Sequence, residues 1–313
     1  MEGQSAPPLA PKTYRFADVD EFRSSVRQLN VAFTPFVRKI AAEQTILSLP
    51  GCDVNYTKSF PRIIDAQLRP DCTAIAFNMD DGVPVRFNGV EEVLPAIVIG
   101  TGGSAYTQVE KGPRSYTSII FSPPIEHRGW FEPGPTWRFY VISKPMQDRL
   151  RNLVLQVLSA ASGFGDDPES YVLASAMRES LLAAIDLAFA DVVTAPEILR
   201  ANFSPKFRIF RDAEAALADH YDTPIYSGEV ARQIGVSVRT LHDAILQYRG
   251  MSLHRYLRLR RLWLVRQRLL AGTHSVKAAA LAFGFWHLSD FSHNYSRQFG
   301  ESPSVTLARA RGH

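Results

Sequence analysis

Along the first half of the chain, apolar positions recur with a period of two or in short unbroken runs, separated by Pro, Gly, Asn and Asp. VNYTKSF, RIIDAQL, TAIAFNM, VPVRFNG, AIVIGTG, SYTSIIF and WRFYVIS follow one another in this way. Such a series predicts the strands of an antiparallel sandwich or small barrel. The early segment DVDEFRSSVRQL has amphipathic helical spacing instead, with Asp18 or Asp20 placed to cap it.

The period then changes. In SKPMQDRLRNLVLQVLSAAS, Leu150, Val154, Val157 and Leu158 fall on one helical side; in DPESYVLASAMRESLLAAIDLAFAD, Leu173, Met177, Leu181, Ala184 and Leu187 do so. The intervening GFGDDP predicts an antiparallel hairpin, which either closes an open end of the barrel or forms a dimer interface. VVTAPEILRANFSPK, with Pro196 and Pro205 and no clear period, reads as a linker. From Phe207 the spacing is helical almost to the end.

That helical part contains an internal repeat. Ala231, Gly235, Val236 and Ser237 return as Ala280, Gly284, Phe285 and a poorer match at His287, with Gly284 standing 49 residues after Gly235. Each unit predicts a helix, a Gly able to take positive φ at a turn, an apolar residue plugging that turn, and a second helix. The pattern is helix-turn-helix, at about 227–248 and 276–299. Between the two, SLHRYLRLRRLWLVRQRLLAG has Leu253, Leu257, Leu264 and Leu269 at helical spacing and predicts one continuous helix. About 19 residues at ~1.5 Å each make a rod of roughly 28 Å, close to the ~34 Å between successive major-groove faces of B-DNA. Beyond the second turn, Phe291, Tyr295 and Phe299 form an inward stripe, leaving Ser289, Ser292, His293 and Ser296 on a short polar outer face.

Charge sharpens this picture. Residues 207–313 hold 14 Arg and Lys277 against 8 acidic residues, a net +7, which leaves −3 for residues 1–206. A basic C-terminal third attracts phosphates from a distance. Seven of the eight histidines also lie beyond residue 206. The lone His127 of the first part cannot supply the two or three imidazoles of a barrel metal site, so neither a metal nor another cofactor is expected. Cys52 and Cys72 are not in a CxxC arrangement, and a reduced pair is expected. No apolar run approaches the ~20 residues of a membrane span and MEGQSAPPLAPK has no secretory core, so no membrane contact and a cytoplasmic location are expected.

Residues 207–310 resemble the DNA-binding domain of the AraC/XylS family of bacterial transcription regulators. The carriers are Ala231 to Ser237 and Leu241; Gly250, Tyr256, Leu257, Arg260 and Leu262; then Ala280, Gly284, Phe285, Phe291, Tyr295, Gly300, Ser302 and Pro303. GFWHLSDF and RLWLVRQRLL are most similar to the ethanolamine-operon type of regulator. The resemblance implies base reading by Arg239, His242 and Asp243 in the first unit and by Ser289, Ser292 and His293 in the second. Phosphate contacts fall to Arg232, Thr240, Arg258 and Arg297. Asp243 stands where relatives often carry a basic or amide residue, and is expected to accept from a cytosine amino group or to pair with Arg239. Arg266 replaces a usual small alanine, and His293 a frequent arginine. Trp263 and Trp286 are expected to pack rather than to stack on bases.

The family also implies an N-terminal half that binds an effector and dimerises. The expected fold class is therefore α+β multidomain. A cupin-like antiparallel β barrel (1–143) precedes a helical hairpin (144–192), a linker (193–206) and an all-α domain (207–313) of two helix-turn-helix units joined by a long helix. Tyr106, His127, Trp130, Trp137 and Tyr140 are polar-tipped aromatics that either line an effector pocket or pack in the core. The implied partners are double-stranded operator DNA, RNA polymerase, a small-molecule effector and a second copy of the chain. Activation of a catabolic or metabolic operon is the expected role. A barrel enzyme with a DNA-binding autoregulatory tail is the alternative, but no nucleophile, base and orienter set supports it. A nucleoid binder without ligand is a third reading.

Overall fold

A computed structural model of the chain describes residues 9–37, 39–81, 84–92, 95–123, 125, 128–130, 137–165, 167–192, 205–218 and 226–311. Its strands form two antiparallel sheets. One has the order β1 (Lys12–Phe16), β3 (Ala42–Leu49), β4 (Cys52–Lys58), β11 (Ser115–Phe121), β6 (Thr73–Asn78), β9 (Ala96–Gly100), β12 (Trp137–Val141). The other runs β2 (Leu29–Pro35), β5 (Arg62–Leu68), β10 (Ala105–Glu110), β7 (Val85–Phe87), β8 (Val90–Glu92). The seven expected strands are present, and β1, β2, β3, β8 and β10 add to them. A short helix α1 (Val19–Ser25) is capped by Asp18, which accepts from the amides of Asp20 and Glu21 at 2.8 and 3.1 Å.

Period-two alternation gives each sheet two faces. Asn55, Ala74, Ala76 and Ser118 of the seven-stranded sheet face Phe33, Ile64, Tyr106 and Gln108 of the five-stranded sheet across a cavity. The opposite face of the seven-stranded sheet is apolar, with Leu47, Val54, Ile75, Ile97, Ile119 and Phe121 buried. Over it lies the helical hairpin of α2 (Lys144–Ala160) and α3 (Pro168–Ala190). Leu150, Val154, Val157 and Leu158 of α2 are buried as their spacing predicts. The stripe expected on α3 is displaced: Leu173 and Leu187 are each 47% exposed, while Ala174, Leu182, Ile185 and Ala188 join Leu181 and Ala184 inside. Apolar residues surround this helix, and its small alanines let the sheet approach on a side adjacent to the leucines.

The remaining helices are α4 (Pro205–Ala218), α5 (Ser227–Gln233), α6 (Val238–Arg249), α7 (Leu253–Leu270), α8 (Val276–Ala282), α9 (Leu288–Phe299) and α10 (Pro303–Arg311). Most of the expected linker lies outside the described residues; its last two, Pro205 and Lys206, belong to α4 instead. A proline costs nothing in the first turn, where its missing N–H has no helical partner. Helix α7 serves two cores. Tyr256, Leu257 and Leu259 pack with α4, α5 and α6, whereas Leu262, Val265 and Leu269 pack with α8 and α9. Trp263 touches both cores.

The outer face of the five-stranded sheet docks on the first of these cores, which includes Ile63 and Val109. At its centre is Arg249, the last residue of α6, with a fully buried side chain. Its Nη1 and Nη2 donate to Asp65 Oδ1 and Oδ2 at 2.8 and 3.0 Å, Nη1 also donates to the Thr107 hydroxyl, and Nη2 lies 2.9 Å from Glu214 Oε2. The guanidinium also lies over the rings of Phe210 and Tyr256, at 4.8 and 4.9 Å. Beside it, Arg86 Nη1 donates to the Gln247 carbonyl at 2.8 Å. Gly89 sits so close that a Cβ there would come within 2.7 Å of the Tyr248 ring.

Replacing Arg249 with alanine leaves Asp65 and Glu214 without their shared cation. The expected cost is about 3 kcal/mol, the lower end for a broken buried pair because Asp65 stays partly in water. A urea titration with an unmoved midpoint would contradict it.

Candidate nucleic-acid interface

The two repeats fold into the same turn. After α5, the Val236 amide donates to the Ala231 carbonyl at 2.9 Å, and after α8 the Phe285 amide donates to the Ala280 carbonyl at 3.0 Å. Gly235 and Gly284 hold φ of 70° and 76°. The repeated Ala-to-apolar spacing is thus a hydrogen-bonded helix stop whose one left-handed residue is glycine. The poorer match at His287 has a physical counterpart. Ser237 caps α6, its Oγ accepting from the Thr240 amide at 3.0 Å, whereas His287 at the head of α9 makes no side-chain capping bond.

Each second helix has one buried and one open side. In α6, Leu241, Ala244, Ile245 and Tyr248 are buried, while Arg239 and Asp243 are exposed and His242 is half-buried. In α9, Phe291, Tyr295 and Phe299 are buried in the aromatic stripe expected of them. Ser289 and His293 are exposed, and Ser292 is half-buried. Asp243 Oδ1 lies 3.7 Å from Nδ1 of the preceding residue, His242. Arg232 and Arg297 are exposed and Arg258 is half-buried. Thr240 shares its hydroxyl with Ser237, at 2.8 Å.

One departure from the family pattern acquires a reason. Arg266 Nη1 donates to Glu301 Oε1 at 2.7 Å, with the guanidinium 4.8 Å above the Phe299 ring, so this arginine ties α7 to the segment before α10. Trp263 packs edge-on against Phe299 at 4.9 Å, as expected. Trp286 does not pack: it is 64% exposed in the second turn, directly before α9. Its place outside the period of either helix hides that exposure from sequence spacing.

The barrel residues divide likewise. Tyr106 and Trp137 line the cavity between the sheets. Trp130 and Tyr140 do not. Trp130 Nε1 donates to Asp186 Oδ1 at 2.8 Å and its ring stacks on Phe189 at 5.6 Å, and Tyr140 meets the same Phe189 at 5.1 Å. Tyr140 is three residues after Trp137 on one strand, so the pleat turns it to the helical hairpin. His127 lies outside the described residues. Cys52 and Cys72 are free and buried, and burial pushes the Cys52 thiol up to about 12. Among the described residues no group of three His, Cys, Asp or Glu side chains could hold a metal, and no helix is long and apolar enough to cross a membrane.

Two open reading faces on twin helix-turn-helix units, joined by one rod, define a DNA-binding domain. Residues 230–309 match the helix-turn-helix domain family. The chain is 32% identical over 117 residues to the XylDLEGF operon transcriptional activator 3 of Pseudomonas putida, covering 36% of this chain and 35% of the relative. It is 37% identical over 89 residues to the HTH-type transcriptional activator RhaS of Salmonella arizonae, covering 28% and 32%. A solved structure, "a probable AraC family transcriptional regulator" from Rhodopseudomonas palustris CGA009, is 34% identical, covering 33% of this chain and 97% of that one, with a TM-score of 0.30. Residues 230–309 are thus a helix-turn-helix domain of the AraC type. It spans about a third of the length of the curated relatives it matches.

Gly235→Ala tests the turn alone, because a Cβ there meets nothing within 4 Å. The expected cost is about 1 to 2 kcal/mol from the left-handed backbone, measured as a fall in thermal stability. A neutral effect would mean the turn relaxes.

Proposed function

We propose that the protein is an effector-responsive transcription regulator that reads operator DNA with α6 and α9. The observation that carries this is the pair of open helix faces set on the single rod α7. At 18 residues, α7 is about 27 Å long, near the ~34 Å repeat of the major groove. Base reading falls to Arg239, His242 and Asp243 on α6 and to Ser289, Ser292 and His293 on α9. The short polar side chains of α9 allow close approach to base edges. Arg232, Arg258 and Arg297 serve phosphates. Thr240, already bonded to Ser237, does so through a hydroxyl it shares, and the exposed Trp286 joins them at the duplex surface.

The relatives reported above bear the names of transcriptional activators, and activation of a catabolic or metabolic operon, with contacts to RNA polymerase in the cytoplasm, is the mode we infer. The enzyme alternative gains nothing from those names. The division into a barrel of 1–143, a hairpin of 144–192, a linker and a reader from 207 belongs to the same proposal. The hairpin is the inferred homodimer surface, supported by Leu155, Val172, Leu173 and Leu187, large apolar side chains left exposed on it. Effector sensing belongs to the barrel cavity, where Tyr106 and Trp137 remain as candidates. Strand β10 offers a physical link, since Tyr106 and Gln108 line the cavity while Thr107 bonds Arg249 at the end of α6.

Binding of the purified chain to its own upstream DNA and to a scrambled duplex, titrated with salt, tests the proposal. Arg239→Ala and His293→Ala are each expected to weaken native-site binding by about tenfold or more and to leave scrambled DNA nearly unchanged. Arg297→Ala should weaken both and flatten the salt slope by about one. Equal affinity for both duplexes, with and without candidate effectors, would reject sequence reading.

A further inference from the structure

Two buried guanidinium groups share one buried carboxylate inside the barrel. Arg62, on β5, is fully buried and its Nε lies 3.2 Å from Glu110 Oε2. Arg114, between β10 and β11, is 7% exposed and its Nε lies 3.9 Å from Glu110 Oε1. The Glu110 carboxylate also accepts from Ser59 Oγ at 3.0 Å and from Gln108 Nε2 at 2.7 Å. Around Arg62, Phe22, Phe33 and Phe60 place ring centroids at 5.0, 4.6 and 5.0 Å and its Nη2 donates to the Tyr116 hydroxyl at 3.3 Å, while its Nε and Nη1 have no hydrogen-bond acceptor among the described residues. Arg114 has the Tyr116 ring at 5.7 Å, and among the described residues its guanidinium donates no hydrogen bond.

One positive charge is therefore left over, and an uncompensated buried charge is costly. Arg114 is also the single charged side chain among the described residues lining the cavity between the sheets. Gln44 and Asn55, 6% and 5% exposed, line it too. Gln44 Oε1 accepts from Ser25 Oγ at 2.9 Å, which leaves its Nε2 as a donor. Asn55 Nδ2 is engaged only by a long 3.5 Å bond to the Ser118 carbonyl. The rest of the lining is largely apolar, with Phe33, Ile64, Phe87, Val98, Ile120 and Trp137. The volume is about 100 Å³. That is of the order of the ~150 Å³ cavities that take up benzene and far below the several hundred Å³ of a drug-sized site.

We propose that this cavity binds a small monocarboxylate, with its carboxylate on Arg114, Gln44 and Asn55 and its apolar body against Phe33, Phe87 and Ile120. This rests on reading the barrel as the effector-binding half. A single surplus charge selects a monoanion. The volume excludes nucleotides and oligosaccharides, and the apolar wall disfavours a bare inorganic ion. Burial raises the Tyr106 phenol above its usual range, so its hydroxyl stays neutral and can donate at the same site.

Calorimetric titration of the full chain with butyrate, isovalerate and benzoate, each beside its uncharged carboxamide, tests the assignment. At least one acid is expected to bind about tenfold or more tightly than its amide, as a charge-assisted contact requires. Arg114→Gln should abolish that preference, Arg114→Lys should keep part of it, and Ala76→Met, which fills the cavity, should remove acid binding. The lysine and methionine variants guard against misfolding, since each is compared with its own thermal melt. Amides binding as well as acids, inorganic phosphate displacing them, the preference surviving in Arg114→Gln, or no acid binding at all would each overturn the site. Operator binding measured in parallel separates the two levels. A carboxylate that binds through Arg114 yet leaves DNA affinity unchanged supports the site and defeats effector-responsive regulation.

Discussion

The arrangement of the two halves depends on one buried cation. Arg249 closes α6 and is simultaneously held by Asp65 from the barrel and Glu214 from α4. A guanidinium without water is tolerable only where its donors are met. Two carboxylates and a threonine hydroxyl meet both terminal nitrogens here and two aromatic rings flank the group, Nε alone lacking an acceptor among the described residues; three of those five groups come from the reader and two from the barrel. Separating the halves would strip Asp65 and Thr107 from this cation while it remained packed against Phe210 and Tyr256. The contact is therefore specific in orientation, beyond what the apolar patch of Ile63 and Val109 would enforce.

The same junction makes β10 a strand with no solvent side. Tyr106 and Gln108 turn into the cavity and Thr107 and Val109 turn to the helices. A side chain that changes position in the cavity moves a strand whose next residue holds Arg249. β10 thus carries the cavity wall on one face and the Arg249 contact on the other.

The legibility of the chain followed the same division. Where one face meets water and the other a core, period alone was sufficient: Phe291, Tyr295 and Phe299 on α9, the glycine turns at 235 and 284, and most strands of the seven-stranded sheet. Strand β10 was missed because AYTQVE carries polar residues on both faces, one set for a cavity and one for an ion pair, and so has no hydrophobic alternation. Arg249 was invisible as a hub for a different reason. A basic residue ending a helix reads as a partner of the helix dipole or of DNA, and its acid lies 184 residues away. Trp130 and Tyr140 looked like pocket residues because composition cannot tell which side of a strand an aromatic takes. Arg114 lies in KGPRSY, where Gly, Pro and flanking charge carry no period that would mark a buried side chain.

The two helix-turn-helix units are alike in sequence but unequal in mechanics. The first is anchored to the barrel by Arg249, by Arg86 on the α6 carbonyls and by Tyr248 against Gly89. The second has a single polar contact of that kind among the described bonds, Gln298 Nε2 donating to the Pro35 carbonyl at 3.0 Å. Its own core instead hangs on α7 through Leu262, Val265 and Leu269, with Arg266 and Glu301 bracing the far end. The barrel's described polar contacts with the reader therefore concentrate on the end of α6, with Gln298 of α9 making the one such bond of the second unit. The angle between the two faces is set by α7, on which both cores pack. The fixed spacing of successive major-groove faces sets which angle lets both faces engage one duplex.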